Sequence, residues 1–317
     1  MKFLHILDDI ARFDVGKDTS FVFLLEAQAR GHENYFCSMQ RLSAGLDGVT
    51  AWAAPLHVKP VQGEHFEAGR FTRTSAEDFD AVFMRKDPPF DSDFFFATHL
   101  LSLIDESRTL VFNRASGLRE ATEKLFILRY PDLIPETLVS ADSAEVFAFR
   151  DDVGGDIVVK PLDGCGGAGI FRIISGDLNA NSIVETLTHE GHRPLMAQRF
   201  LPESRAGDMR LIYLDGRALG GVLRVPRSDD LRGNIHVGGR CEKAVVGDRE
   251  REICERLAPD LEKLGVWFVG LDIIGGLLTE VNVTSPTGIQ EVNTLDGVKL
   301  EADVIDFVEA KCKALVR

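Results

Sequence analysis

Apolar residues follow two different rhythms along this chain. In the first third, short apolar runs alternate with longer helical stretches. Lys2 to Leu7, Asn34 to Ser38, Ala81 to Met84 and Thr109 to Phe112 read as strands, whereas Thr19 to Arg30 and Asp93 to Glu106 read as helices. Thr19 and Ser20 are expected to cap the first helix and Gly31 to stop it. Strand, helix and strand in succession build an open α/β sheet, which we expect to end near residue 122. Val49 to Lys59, with Pro55 inside it and Pro60 after it, reads as a hairpin excursion from that sheet.

Beyond Thr122 the pattern turns to α+β with several hairpins. Glu123 to Phe126 is expected on a short helix ended by Pro131, and Lys124 on it reads, taken alone, as a solvated lysine. Glu136 to Ser140 and Ile157 to Lys160 are strands around a helix from Asp142 to Arg150, and a strand from Leu195 runs into Gln198, Arg199, Phe200 and Leu201. Asp215-Gly216, between Met209 to Leu214 and Arg217 to Arg224, is the strongest short turn signal in the chain. Val225 to Arg240 has almost no periodicity. It reads as a floppy connector or as a lid whose Arg232 and Arg240 could donate to a phosphate.

Composition removes several classes. A chain of 317 residues suits two or three packed units. Its 50 acidic against 36 basic residues give a formal charge of −14, which disfavours a sequence-independent nucleic-acid binder. The five cysteines are scattered without a C-x-x-C pair, so neither a disulfide framework nor a zinc site is expected. The apolar start meets Asp8 and Asp9 too soon for a signal peptide, and no run reaches membrane-spanning length. We therefore expect a protein of the reducing cytoplasm with no membrane partner.

The chemistry is concentrated in four places. Asp156 to Lys160 is a β-branched run ending in a lysine, and four glycines follow among residues 164 to 169. Glycine lets backbone N–H groups approach an anion closely, so Gly164, Gly166 and Gly167 with Lys160 make a candidate phosphate cradle. Gly164, Gly166 and Gly169 also match the dinucleotide spacing, but Ile170 to Ile174 is another β-rich run where a dinucleotide fold needs a helix. Strand, glycine loop and strand is the arrangement of a flap over ATP phosphates. A tight turn without a ligand stays open as the alternative.

Arg85 and Lys86, followed by the rigid Pro88-Pro89, would form a carboxylate-binding rim beyond the end of the Ala81 strand. Arg210 and Arg224 stand in otherwise apolar strands, where they either face solvent or line an anion pocket. Asp272, Glu280 and Asn282 flank the Gly275-Gly276 turn. A two-residue turn pairs Asp272 with Thr279, whereas a three-residue loop with a bulge pairs it with Glu280. In the second case two carboxylates and an amide oxygen are hard donors suited to Mg²⁺ shared with nucleotide phosphates.

Four strings together carry a resemblance. Met84 to Asp91 (Met-Arg-Lys-Asp-Pro-Pro-Phe-Asp), Lys160 to Gly164 (Lys-Pro-Leu-Asp-Gly), Gly270 to Ile274 and Glu280 to Thr287 (Glu-Val-Asn-Val-Thr-Ser-Pro-Thr) closely resemble bacterial glutathione synthetases, ATP-grasp ligases, over nearly the whole chain. The resemblance implies an α/β protein of ATP-grasp architecture: an N-terminal open α/β domain (1–122), a central subdomain with the glycine loop (123–200) and a C-terminal one with the lid 225–240 and the metal hairpin (201–317). ATP would lie between the last two. Lys124, Lys160, Gly164, Gly166, Gly167, Arg232 and the stretch Gln198 to Leu201 would meet the nucleotide, and Asp208 its ribose.

The same resemblance assigns Asp272, Glu280 and Asn282 to two magnesium ions, for which manganese could substitute. Arg210 and Arg224, with Lys160, would act on the transferred phosphoryl group. Arg85, Ser285, Pro286, Thr287 and Gly288 would lie near the peptide substrate. The implied reaction joins γ-glutamylcysteine to glycine through an acyl phosphate, in a homotetramer, and a same-fold ligase for another γ-glutamyl or amino-acid substrate is the alternative. Gln290 stands where many relatives carry arginine, and Cys165 holds a variable loop position.

Overall fold

The computed structural model of the protein describes residues 1–227 and 239–315. Arg232 and most of the expected lid lie outside the described residues. The chain builds three sheets in succession. The first contains β1 (Lys2–Ile6), β2 (Glu33–Cys37), β3 (Leu42–Gly45), β4 (Gly48–Val58), β5 (Phe66–Ala68), β6 (Thr72–Ser75), β7 (Ala81–Met84) and β8 (Leu110–Phe112). Its path runs β3-β4-β2-β1-β7-β8, with β5 and β6 also paired to β4. The stretch β2-β1-β7-β8 is parallel. The carboxyl ends of β1 and β7 therefore point the same way, and the loops that leave them can share one crevice.

The second sheet holds β9 (Thr137–Ser140), β10 (Asp156–Pro161), β11 (Phe171–Ile174) and β12 (Leu195–Arg199), in the order β11-β10-β12-β9 and antiparallel throughout. The third holds β13 (Asp208–Leu214), β14 (Arg217–Val225), β15 (Arg240–Lys243), β16 (Phe268–Ile274) and β17 (Leu277–Asn282), ordered β15-β14-β13-β16-β17. Eight α-helices complete the described residues: α1 (Thr19–Ala29), α2 (Ser92–Leu101), α3 (Ala115–Glu120), α4 (Ser143–Asp152), α5 (Ala180–Thr188), α6 (Asp248–Leu264), α7 (Ile289–Asp296) and α8 (Leu300–Ala314). Among the described residues, no helix is long and apolar enough to cross a membrane.

Four local expectations change. The cap of α1 is Asp18, whose carboxylate accepts the Phe21 N–H; Thr19 and Ser20 are buried inside the first turn. A carboxylate competes better for an N-terminal amide than a hydroxyl that is already enclosed. The Val49 segment is no excursion: β4 is an 11-residue strand that pairs with β2, β3, β5 and β6. Helix α2 stops at Leu101, and the chain turns before Asp105. Glu123 and Lys124 lie in a turn ahead of a short 3₁₀ segment, Phe126–Arg129, rather than on a helix. A long-range bond decides that last point, because the Val281 N–H donates to the Glu123 carbonyl at 2.9 Å.

The units are fastened by buried polar groups as well as apolar packing. Asn113, just after β8, accepts from the N–H groups of Trp267 and Phe268 at 2.9 Å each and donates to the Phe268 carbonyl at 2.7 Å. Its amide thereby replaces a strand partner for β16 beyond the end of β17, and its own polar atoms are satisfied on burial. Leu133 repeats the device, its carbonyl accepting from Leu278 at 2.8 Å. The rear of the third sheet packs Ile212, Leu214, Val222 and Phe268 with α7 and α8, while Phe3, Phe83 and Phe112 of the first sheet and Phe23 of α1 join the same core.

Candidate active site

A cleft of about 1210 Å³ opens where the three sheets meet. It is lined by the glycine loop, by Gln198 to Leu201, by the front face of the third sheet and by the loops leaving β1 and β7. On the third sheet, side chains two apart share a face, so Asp208 and Arg210 of β13 point with Arg224 of β14. The register sets Asp208 opposite Arg224 and Arg210 opposite Asp272 of β16.

The β16 to β17 hairpin resolves the two alternatives by combining them. Gly275-Gly276 is a two-residue turn, with Ile274 opposite Leu277 and Ile273 opposite Leu278. A bulge then falls at Thr279, and Asp272 ends opposite Glu280. The Thr279 hydroxyl donates to the Asp272 carbonyl at 3.0 Å, which ties the extra residue down. Gly270, opposite Asn282, needs its missing side chain: a Cβ there would stand 2.9 Å from Pro286 Cβ and 3.1 Å from Arg210 Cδ.

Two charge centres result. In the arginine centre, Arg210 forks onto Asp272, with Nε to Oδ1 at 2.6 Å and a terminal nitrogen to Oδ2 at 3.1 Å. Arg224 reaches Asp272 Oδ2 at 3.1 Å and bonds closely to Asp208. Burial opposes the charge of Asp272, yet Arg210 and Arg224 hold its carboxyl well below the usual carboxylate range. Burial raises Asp208 instead, against the pull of Arg224 and helped by repulsion from Asp272. Two carboxylates share one arginine, and the better bonded one keeps the charge.

In the lysine centre, Lys160 of β10 donates to Glu280 at 3.0 Å and to the Thr279 carbonyl at 3.3 Å. Lys124 lies 3.9 Å from the same Glu280 oxygen and donates to the Gly164 carbonyl at 2.7 Å. Glu280 is half-buried, which opposes its charge, but the two lysines, Lys160 foremost, still lower its pKa. The lysine taken alone for a surface residue is 4% exposed, so only its cleft end can find a partner.

The metal reading can be tested on these donors. Asn282 donates its amide N–H to Asp272 Oδ2 and to the Gly270 carbonyl, both at 3.2 Å, which leaves its carbonyl oxygen for a hard cation. Glu280 and Asn282 project from the same face of β17, as two donors of one ion would. Asp272 fits only if an arginine yields. Among the described residues, no group of three His, Cys, Asp or Glu side chains converges.

The other expected residues sort by place. Gly164, Gly166 and Gly167 form the loop between the paired strands β10 and β11, and no helix follows them. Gln198 donates to Thr137 Oγ1 at 3.0 Å, Arg199 to Glu136 at 2.6 Å, and Arg172 stacks on the Phe200 ring at 3.8 Å. Ser285, Pro286 and Thr287 line the cleft. Arg85 and Gly288 do not. Arg85 is buried behind the wall, donating to Ser20 Oγ and to the Pro286 carbonyl at 3.0 Å each, so it braces the turn and leaves the rim to Lys86.

Sequence reasoning missed the loop that leaves β1. Asp8, Asp9, Arg12, Asp14, Lys17 and Asp18 line the cleft, and Asp8 joins Lys86 at 3.0 Å. Glu123, Ser204 and Glu291 were missed as well. A signal existed for the first group, because ligands gather beyond the carboxyl ends of parallel strands and β1 is the first of them.

Comparison with known proteins decides the family. Residues 1–119 match the N-terminal domain of prokaryotic glutathione synthetase, and residues 123–297 match its ATP-grasp domain. The chain belongs to the prokaryotic glutathione synthetase family. The glutathione synthetase of Synechococcus elongatus is 44% identical, with 98% of each chain covered, and that of Brucella melitensis biotype 1 is 43% identical, with 96% of this chain and 97% of the relative covered. Among solved structures, D-cycloserine synthetase DcsG superposes with a TM-score of 0.66 at 16% identity, covering 98% of this chain and 99% of that one. The ATP-grasp ligase PsnB, complexed with a minimal precursor, superposes with 0.64 at 20% identity, with 98% of each covered. These two establish the ATP-grasp fold alone; the family rests on the close relatives.

Proposed function

We propose that the protein is a glutathione synthetase that joins γ-glutamylcysteine to glycine with ATP, giving glutathione, ADP and phosphate. The observation that carries the reading is the pairing of two charge centres across one cleft, under a glycine loop, in a chain of this family. Lys124 and Lys160 sit where nucleotide phosphates would meet the glycine loop, and Gln198 to Leu201 flank the expected adenine site. Asp208 Oδ1 and Ser204 Oγ are buried polar atoms without a partner, as befits a wall built for ribose hydroxyls.

The cysteinyl carboxylate attacks the γ-phosphorus, forming a P–O bond while the bond to ADP breaks. Glycine's amine then attacks the acyl carbon; a C–N bond forms, phosphate leaves and the ammonium proton is lost. Arg210 and Arg224 would steady charge on the transferred oxygens in a site from which water is excluded. Asp272, Glu280 and Asn282 would hold magnesium, two ions with manganese as a substitute, to neutralise the phosphates. Ser285, Pro286 and Thr287 would border the peptide. The enzyme would work as a homotetramer in the cytoplasm.

The test is phosphate release from ATP with γ-glutamylcysteine, with and without glycine, and the mass of the product. Glycine-dependent release with formation of the tripeptide is expected. Release that ignores glycine, or that responds to alanine or cysteine instead, points to the other γ-glutamyl ligases.

A further inference from the structure

Most carboxylates on the cleft wall already have a partner. Asp8 faces Lys86, Asp9 faces Arg12 and Asp14 faces Lys17, at 3.0, 3.5 and 3.8 Å. Asp208, Asp272 and Glu280 belong to the two charge centres. Asp18 accepts from the Phe21 amide, and Glu123 from the Thr284 hydroxyl at 3.0 Å. Glu291 differs. Its Oε2 is buried without a hydrogen-bond partner, and it forms no ion pair among the described residues. Burial pushes its carboxyl above the usual range, with only a partial counter-pull from its own backbone N–H and then from Lys17 and Arg210.

This carboxylate is held in place. It stands in the first turn of α7, directly after the Ser285 to Gly288 turn, and neighbouring Gln290 fastens that turn by donating to the Asp18 carbonyl at 2.7 Å. Arg210 cannot supply the missing charge, because it forks onto Asp272 and donates to the Thr287 carbonyl at 2.9 Å. An unsatisfied buried carboxylate oxygen costs free energy until a donor arrives. A divalent metal is a poor candidate, since it needs several hard oxygens and Glu291 offers one carboxylate, beside Lys17 and Arg210, which repel a double charge more than a single one. An ammonium brings three donors and one charge, and Lys17 suits the carboxylate that accompanies it in an α-amino acid.

We infer that Glu291 docks the ammonium of an amino-acid substrate. The inference rests on the reaction proposed above, in which γ-glutamylcysteine and glycine each bring one ammonium. In Glu291→Gln, the KM for one of these two substrates should rise about tenfold or more, the loss of a charged hydrogen bond, while the KM for ATP and the melting temperature hold. If the peptide is the ligand, wild type should discriminate against a γ-glutamylcysteine analogue lacking the α-amino group, and the variant should lose that discrimination. If glycine is the ligand, its KM alone rises. Unchanged KM values for both substrates overturn the inference, as does a rise in all three with a falling melting temperature. Wild-type protein that does not turn over would count against the reaction itself. Calorimetric titration of glycine and glutamate into both proteins then decides Glu291, and equal heats sink it.

Discussion

The arginine centre and the lysine centre hold the same number of cations but differ in construction. Asp208, Arg210, Arg224 and Asp272 stand on three adjacent strands of one sheet, two cations against two acids; two of their contacts are cross-strand pairs fixed by register, and Arg224 also reaches over β13 to Asp272. Lys124, Lys160 and Glu280 come from a turn, from the second sheet and from the third, two cations against one acid. The first centre is balanced without a ligand and its geometry comes with the sheet. The second carries a surplus positive charge and exists only when separate units close on each other. Phosphate has more to gain at the lysines, while the arginines are better placed to keep a fixed geometry during transfer.

Removing the acid from each centre should break the comparison most sharply. Glu280→Ala is expected to abolish ligation, a loss of roughly 10³-fold or more on the scale of lost electrostatic stabilisation, with circular dichroism unchanged. Full turnover by that variant in excess Mg²⁺ would defeat the metal assignment. Asp272→Ala instead leaves two buried guanidinium groups with Asp208 alone, and should cost about 3–5 kcal/mol of stability. Urea unfolding tests this; a loss no larger than that of Glu280→Ala would erase the distinction between the centres. Lys124→Met should raise the KM for ATP by about tenfold, the value of a charge-assisted bond, with little change in unfolding.

The smallest effect concerns pH. A carboxyl whose folded pKa is raised binds protons more readily in the folded state, so stability rises as pH falls through the folded value toward the ordinary one, and Asp208 is such a group. Asp272 and Glu280, both lowered, contribute stability above their ordinary pKa values that is lost as pH falls below them. The stability of wild type relative to Asp208→Asn should therefore increase as the pH of urea unfolding is lowered from 7 toward 4.5. A constant difference would place Asp208 among the ordinary ion-paired acids.

Legibility in the sequence followed the range of the interactions. The strand, glycine loop and strand around residue 164 could be read because hydrophobic period and glycine content are local. That the first third builds an open α/β sheet could be anticipated for the same reason, though not the order of its strands. The fate of Lys124 could not, because the turn that carries it is held by Val281, far along the chain. Nor could the pairing of Asp272, which hung on one bulged residue. Arg85 misled for a different reason: a cation after a strand looks like a rim, and only the tertiary fold shows Ser20 and Pro286 waiting behind it. The loop after β1 has no periodic pattern, so its charges gave a local reader nothing to hold.

The bulge at Thr279 gives the hairpin something like a reading frame. Substitutions along β17 can alter one donor at a time, but a regular ladder that kept Thr279 and paired it with Asp272 would turn every later residue to the other face. Glu280 and Asn282 would turn from the cleft together. Lineages descending from such a protein could vary their turn residues freely, yet a change in length there would survive only if a bulge is lost or gained with it, so that Asp272 still meets Glu280.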